Sequence, residues 1–110
     1  MVTPKSGAVV LVPFPFSDLS ASKLRPALVL ADAGNQDWIL CQITSKPYAD
    51  NKAIELKGSD FLSGTLKVLS YVRPGKLFTA NAVLMVAQVG ILKKQKLKDI
   101  IDTVTQLLQA

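Results

Sequence analysis

The chain of 110 residues is 49% hydrophobic and carries a net charge of +5, so as a single domain over residues 1–110 it holds one modest core and suits a phosphate-rich or otherwise acidic partner. A single cysteine and no histidine exclude a disulfide framework and a zinc site. Met1-Val2-Thr3-Pro4-Lys5-Ser6 has none of the regions of a signal peptide, and no apolar run reaches membrane-spanning length, which makes a soluble cytoplasmic protein the expectation.

Ala8 to Phe14 is a strongly β-prone run, ended near Val12 to Phe14 by Pro13 and Pro15. Phe16 to Leu24 is polar and small, a loop longer than an ordinary hairpin connection, which is either a flexible connector or a functional segment. Pro26 to Ala31 reads as a second strand, Gly34-Asn35 as a turn, and Asp37 to Ile43 as a third strand, together an antiparallel hairpin. Cys41 in this third strand reads as a small buried hydrophobe. Ala53 to Leu56 is a short strand and Gly58 to Gly64 a turn-rich connection. Thr65 to Val72 alternates as strands do until Arg73-Pro74-Gly75 breaks it, and Val83 to Val89 completes the β content. After Gly90 the period changes: Leu97, Ile100, Ile101, Val104, Leu107 and Leu108 form one face of a helix, leaving Lys96, Lys98, Asp99 and Gln106 to solvent. Lys93 and Lys94 at its start carry the wrong sign for the helix dipole. Several short strands and a terminal helix predict a mainly β fold, a small, strongly bent antiparallel sheet or partly open barrel. Mean hydropathy of +0.31 fits either apolar surface covered by a partner or strands buried on both faces.

If the second and third strands pair, Arg25 and the hydroxyls of Thr44 and Ser45 come to one edge of the barrel, a group able to grip a phosphate. On the residues alone, a surface salt bridge of Arg25 with Asp18 or another carboxylate is the stronger reading, and for Thr44-Ser45 so is a strand end that turns by side-chain-to-backbone hydrogen bonds before Pro47.

What bears on this choice is a resemblance, carried by the order and spacing of Gly7-Ala8-Val9-Val10-Leu11-Val12, Arg25-Pro26-Ala27-Leu28-Val29-Leu30, Ile43-Thr44-Ser45, Ser70-Tyr71-Val72-Arg73-Pro74-Gly75-Lys76-Leu77-Phe78 and Val89-Gly90-Ile91-Leu92. Taken together they resemble, almost end to end, the MazF/PemK family of toxin endoribonucleases from the toxin–antitoxin pairs of bacteria and archaea. The resemblance implies an SH3-like, partly open antiparallel barrel with a C-terminal helix, of the MazF/PemK/CcdB kind, assembled as a homodimer. It implies cofactor-free and metal-independent cutting of single-stranded RNA or mRNA at short motifs, blocked by a cognate antitoxin protein. By residue match, Arg25 and Thr44 take the family's catalytic arginine and threonine positions.

RNA needs no metal to be cut, because its own 2′-hydroxyl attacks the neighbouring phosphorus and leaves a 2′,3′-cyclic phosphate and a 5′-hydroxyl. Arg25 suits the phosphorane charge, since a guanidinium fork donates two hydrogen bonds to nonbridging oxygens, and Thr44 with Ser45 offers hydroxyls to the same phosphate. Phe16 and Tyr48, in loops flanking the site, are the candidates for base stacking, and Lys23 and Lys46 for guiding the RNA backbone. Many relatives carry a Gly-Ser-Glu-like stretch before the arginine. Here Ser20-Ala21-Ser22-Lys23-Leu24 has no acid, so any role of that glutamate is lost or passes to another group, for which Asp18 is the candidate. The missing acid keeps a second reading open, a noncatalytic RNA- or protein-binding module on the same fold, as in gyrase-poisoning relatives.

Overall fold

The computed structural model describes residues 2–15, 22–47 and 49–110. Strands β1 (Ala8–Pro15), β2 (Ser22–Gly34), β3 (Asp37–Thr44), β4 (Ile54–Leu56), β5 (Phe61–Gly64), β6 (Ser70–Asn81) and β7 (Ala87–Leu92) form one antiparallel sheet, and α1 (Lys94–Gln109) follows them. Strand order is β4-β6-β3-β2-β1-β7-β5, so the two longest strands, β2 and β6, flank β3 and the short β4 and β5 form the edges. This is the mainly β, partly open barrel that the sequence predicts.

Alternation explains the apolar runs. In Ala27-Leu28-Val29-Leu30, Leu28 and Leu30 enter a core with Val9, Cys41, Ile43, Val72 and the helix residues Ile100 and Val104. Ala27 and Val29 enter a second core on the opposite face, with Val10, Val12, Leu40, Ala80 and Met85. A strand buried on both faces reads as unbroken hydrophobicity. Burial on both faces accounts for part of the high mean hydropathy, and exposed apolar side chains for another part: Leu62, Val83 and Leu108 are 71%, 71% and 73% exposed.

Four boundaries differ from the sequence expectation. Ser22, Lys23 and Leu24 belong to β2, paired with Pro15, Phe14 and Pro13 of β1. The prolines sit where β1 has lost its other partner, since β7 pairs with β1 only as far as Leu11, and a missing N–H there costs no ladder bond. The Gly58 to Gly64 connection holds a single 3-10 turn over Gly58–Asp60 and then β5. Residues 82–84 form another such turn, so β7 begins only at Ala87. The largest difference is β6: Thr65 to Leu69 is not strand, and the strand that starts at Ser70 runs through Arg73-Pro74-Gly75 to Asn81. It survives by bulging. Gln42 of β3 pairs with Arg73 while Cys41 pairs with Leu77, which leaves Pro74, Gly75 and Lys76 outside the ladder.

The bulge is tied down from one side. Arg73 Nε meets Asp50 Oδ2 at 2.7 Å, and the other Asp50 oxygen accepts from the backbone N–H of Lys52 at 3.0 Å. The Arg73 hydrogen bond comes first among the causes that hold the Asp50 carboxyl below its ordinary value. At the opposite end α1 starts at Lys94, with Lys93 as its cap and no side chain closing it. Lys96, expected in solvent, instead reaches Asp60 at 3.4 Å.

Two glycines mark where β5 and β7 approach closely. Gly64 pairs with Gly90, has φ +67°, and an added Cβ would run into the carbonyl oxygen of Val89. Gly64→Ala is expected to destabilise the fold by about 2 kcal/mol or more, whereas Gly58→Ala, with open space around it, changes stability by less than about 0.5 kcal/mol. Chemical denaturation of both variants checks the contrast. Asp50 gives a pH test. Its folded value lies below its unfolded one, so ionised Asp50 stabilises the fold at neutral pH, and that contribution fades as pH falls below about 4. Asp50→Asn should lower the melting temperature by a few degrees at pH 7, and the gap to the unmodified protein should close under more acidic conditions.

Candidate functional site

The register of the central strands assembles the site. Val12 of β1 pairs with Arg25 of β2, and Thr44 of β3 pairs with Tyr71 of β6, which in turn pairs with Glu55 of β4. β2 and β3 pair as far as Ala27 opposite Gln42, and the same register carried two residues further sets Arg25 opposite Thr44. Side chains of directly opposed residues lie about 5 Å apart on one face. The neighbouring row on that face is Val10, Ala27, Gln42 and Arg73.

This is the face of the second core. Going outward along the strands, Val10 and Val12, Val29 and Ala27, and Leu40 give way to Arg25, Gln42 and Thr44, so the apolar floor passes into a polar one. Phe14 and Phe78 stand at the border, edge to face with ring centres 5.0 Å apart. Arg25 and Thr44 are both half-buried. The Thr44 hydroxyl accepts from the Lys46 N–H and donates to the Lys46 carbonyl, both at 3.1 Å, so the strand-end turn expected before Pro47 is present.

Ser45 and Lys46 are exposed just past the end of β3. Lys23, also exposed, lies opposite Phe14 and two residues from Arg25, hence on the same face of β2. Phe16, Asp18 and Tyr48 lie outside the described residues.

Sequence reasoning passed over Gln42 and Glu55 and set Tyr71 and Phe78 aside as core. The signal for all four is the pairing of β3 with β6 across some thirty residues of chain, which no local pattern reveals. Arg73 is held by Asp50 and donates from Nη1 to Gln42 Oε1 at 3.3 Å. On one side of it lies a cavity of about 270 Å³ lined by Phe14, Gln42, Arg73, Lys76, Leu77 and Phe78. On the other side a second cavity of about 400 Å³ runs to Pro47, Asp50 and Asn51, and Lys76 lines both. With Lys23, Arg25, Lys46, Arg73 and Lys76 against Asp50 and Glu55, the face is cationic, as a polyanion requires. Cys41 takes no part: it is fully buried in the core of the opposite face, and burial pushes its thiol up to about 12.

The comparisons with known proteins fit this architecture. The structure is similar to the MazE–MazF complex from Deinococcus radiodurans, with 20% identity over 96% of this chain and 96% of that one and a TM-score of 0.77. It is similar to an endoribonuclease from a Mycobacterial species solved with its cognate antitoxin, with 18% identity over 99% and 96% of the two chains and a TM-score of 0.70. It also resembles the Mycobacterium tuberculosis toxin MazF-mt6, at 13% identity over 93% and 96% and a TM-score of 0.69. At such identities the likeness concerns the fold. Among curated proteins none matches the chain significantly. The family model for the PemK-like, MazF-like toxin of type II toxin–antitoxin systems matches residues 5–108, and the chain belongs to that family.

Proposed function

We propose that this protein is a metal-independent endoribonuclease that cuts single-stranded RNA, mRNA above all, and is silenced by a cognate antitoxin. What supports the reading is the β2–β3 register, which continued two residues past Ala27–Gln42 sets Arg25 opposite Thr44, on a cationic face, in a member of this toxin family. A phosphate lying over that pair has its nonbridging oxygens within reach of a planar guanidinium and a hydroxyl. The substrate's 2′-hydroxyl attacks phosphorus in line, Arg25 stabilises the charge that builds on the phosphorane, and Thr44 fixes the phosphate's orientation. The products are a 2′,3′-cyclic phosphate and a 5′-hydroxyl.

Ser45, Lys46 and Lys23 rim this position and serve the RNA backbone, with Phe16, Tyr48 and Asp18 assigned to the same interface by the sequence alone. Glu55 ends the row two strands beyond Thr44, about 10 Å away at the usual strand spacing, out of reach of that phosphate. Catalysis then rests on alignment and charge stabilisation, and the rate is modest. The exposed Val83, Leu84 and Val86 suit the homodimer expected of the family, a single structured toxin domain in each copy, working in the cytoplasm on message. An acidic, partly disordered antitoxin suits the +5 charge. The alternative is a noncatalytic binding module. It is favoured by the Thr44 hydroxyl, which is already engaged with Lys46.

Incubating the protein with a long unstructured RNA in excess EDTA is expected to give discrete fragments ending in cyclic phosphate. Arg25→Ala should lower the rate about 10³-fold and Thr44→Ala about 10- to 100-fold, with melting temperatures within a few degrees of the unmodified protein. Intact RNA from folded protein favours the binding module, and a collapse of stability in Arg25→Ala marks that arginine as structural.

A further inference from the structure

The cavity between Phe14 and Arg73 has features that the cleavage chemistry does not use. Its volume of about 270 Å³ falls just under the roughly 300–1,000 Å³ of sites for drug-sized ligands, and suits a single flat ring system. Two of its walls are the Phe14 and Phe78 rings, which offer π-faces to a base. Its mouth is shaped by the β6 bulge, which lifts Lys76 out of the ladder and onto the rim.

The polar lining has a fixed sense. An arginine only donates hydrogen bonds, so the contact from Arg73 Nη1 identifies the Gln42 atom facing it as the amide oxygen. Arg73 cannot swing away to release that oxygen, because its Nε is held by Asp50 at 2.7 Å. Gln42 therefore offers the cavity its amide nitrogen, a donor, and Lys76 adds an ammonium that also only donates. A ligand edge that meets these groups must accept. Guanine presents the O6 and N7 acceptors and uracil the O4 acceptor, whereas adenine and cytosine put an amino group at the corresponding place. Adenine keeps N7 as its one acceptor on this edge, so its amino group set against the second donor leaves both of those unpaired, and the amino group of cytosine faces the donors in the same way.

Position supplies the rest. Gln42 precedes Thr44 by two residues on the same face of β3, about 6.7 Å along the strand, on the order of one nucleotide step. We propose that this cavity is the subsite for the nucleobase next to the scissile phosphate, and that Gln42, oriented by Arg73, makes it select guanine or uracil over adenine or cytosine. The inference rests on the RNA reading of the Arg25–Thr44 site. It adds a specificity-determining residue and the class of base that residue accepts.

The test separates the two claims. Random hexamers of 2′-fluoro RNA, which lack the attacking hydroxyl, are selected on immobilised protein and sequenced, while cleavage of ordinary RNA is followed in parallel. One position should be enriched in guanine and uracil about fivefold, the worth of one uncharged hydrogen bond. Gln42→Glu, which exchanges the amide donor for an acceptor, should turn that preference toward adenine and cytosine, and Gln42→Leu should flatten it. A preference untouched by both substitutions in folded protein overturns the subsite, whether or not RNA is cut. Failure to retain any hexamer overturns it too. A preference that follows Gln42 in a protein that cuts nothing upholds the subsite and removes the ribonuclease.

Discussion

Pairing of β2 with β3 is the constraint on which the rest of the molecule depends, because both strands are buried on their two faces at once. Sliding one past the other by a single residue would exchange every side chain between the cores, and each fully buried leucine or valine is worth roughly 1.5–3 kcal/mol. Register is thus fixed by Leu28, Val29, Leu40, Cys41 and Ile43, well inside the sheet. Arg25 and Thr44 inherit their meeting from that core. They sit two residues beyond Ala27–Gln42, the last pair of the ladder, at the end where the apolar face runs out. The core thus fixes the backbone register at the candidate site, and the turn at the end of β3 holds the Thr44 hydroxyl against Lys46.

The β6 bulge is the second device. Pro74 has no N–H to give a ladder, and a proline in a central strand ordinarily ends it. Here Pro74 is fully buried while Gly75 and Lys76 are pushed outward, so the strand absorbs the proline and gains a projecting cation. The Arg73–Asp50 pair fastens the segment after β3 to the bulge. Both partners are half-buried, so solvent screens part of the cost of breaking the pair from one side. One arginine thereby links the second cavity, the first cavity and the orientation of Gln42.

How much of this was legible in the sequence follows from the range of the interaction involved. Strand content, the β2–β3 hairpin and α1 were written in local periodicity, and Asn35 and Gln36 at φ 55° and 65° form the turn foreseen at Gly34-Asn35. Ser70 to Asn81 was misread because Arg73-Pro74-Gly75 carries every local sign of a break, and only pairing with β3 overrides it. Of the site, Arg25 and Thr44 could be set face to face from strand order, but Gln42, Tyr71 and Glu55 could not, since their neighbours come from β6 and β4. The carboxylate sought in the loop before Arg25 has no counterpart beside it among the described residues. Glu55 and Asp50 reach the same face from elsewhere in the chain, and Asp50 is spoken for by Arg73.

Under the proposed function, Thr44 would combine a structural and a catalytic role in one side chain. Its two bonds to Lys46 join uncharged groups at 3.1 Å, at a half-exposed strand end, and each is worth about 1 kcal/mol net. A phosphate oxygen is an anionic acceptor, and hydrogen bonds to such a group are roughly twice as strong. On that proposal the hydroxyl proton would turn from the Lys46 carbonyl to a bound phosphate at a gain, while its oxygen continued to accept from the Lys46 N–H. Retaining that second bond holds the side chain in one rotamer through the exchange. The turn that closes β3 thus orients the hydroxyl for the ligand that displaces half of its contacts.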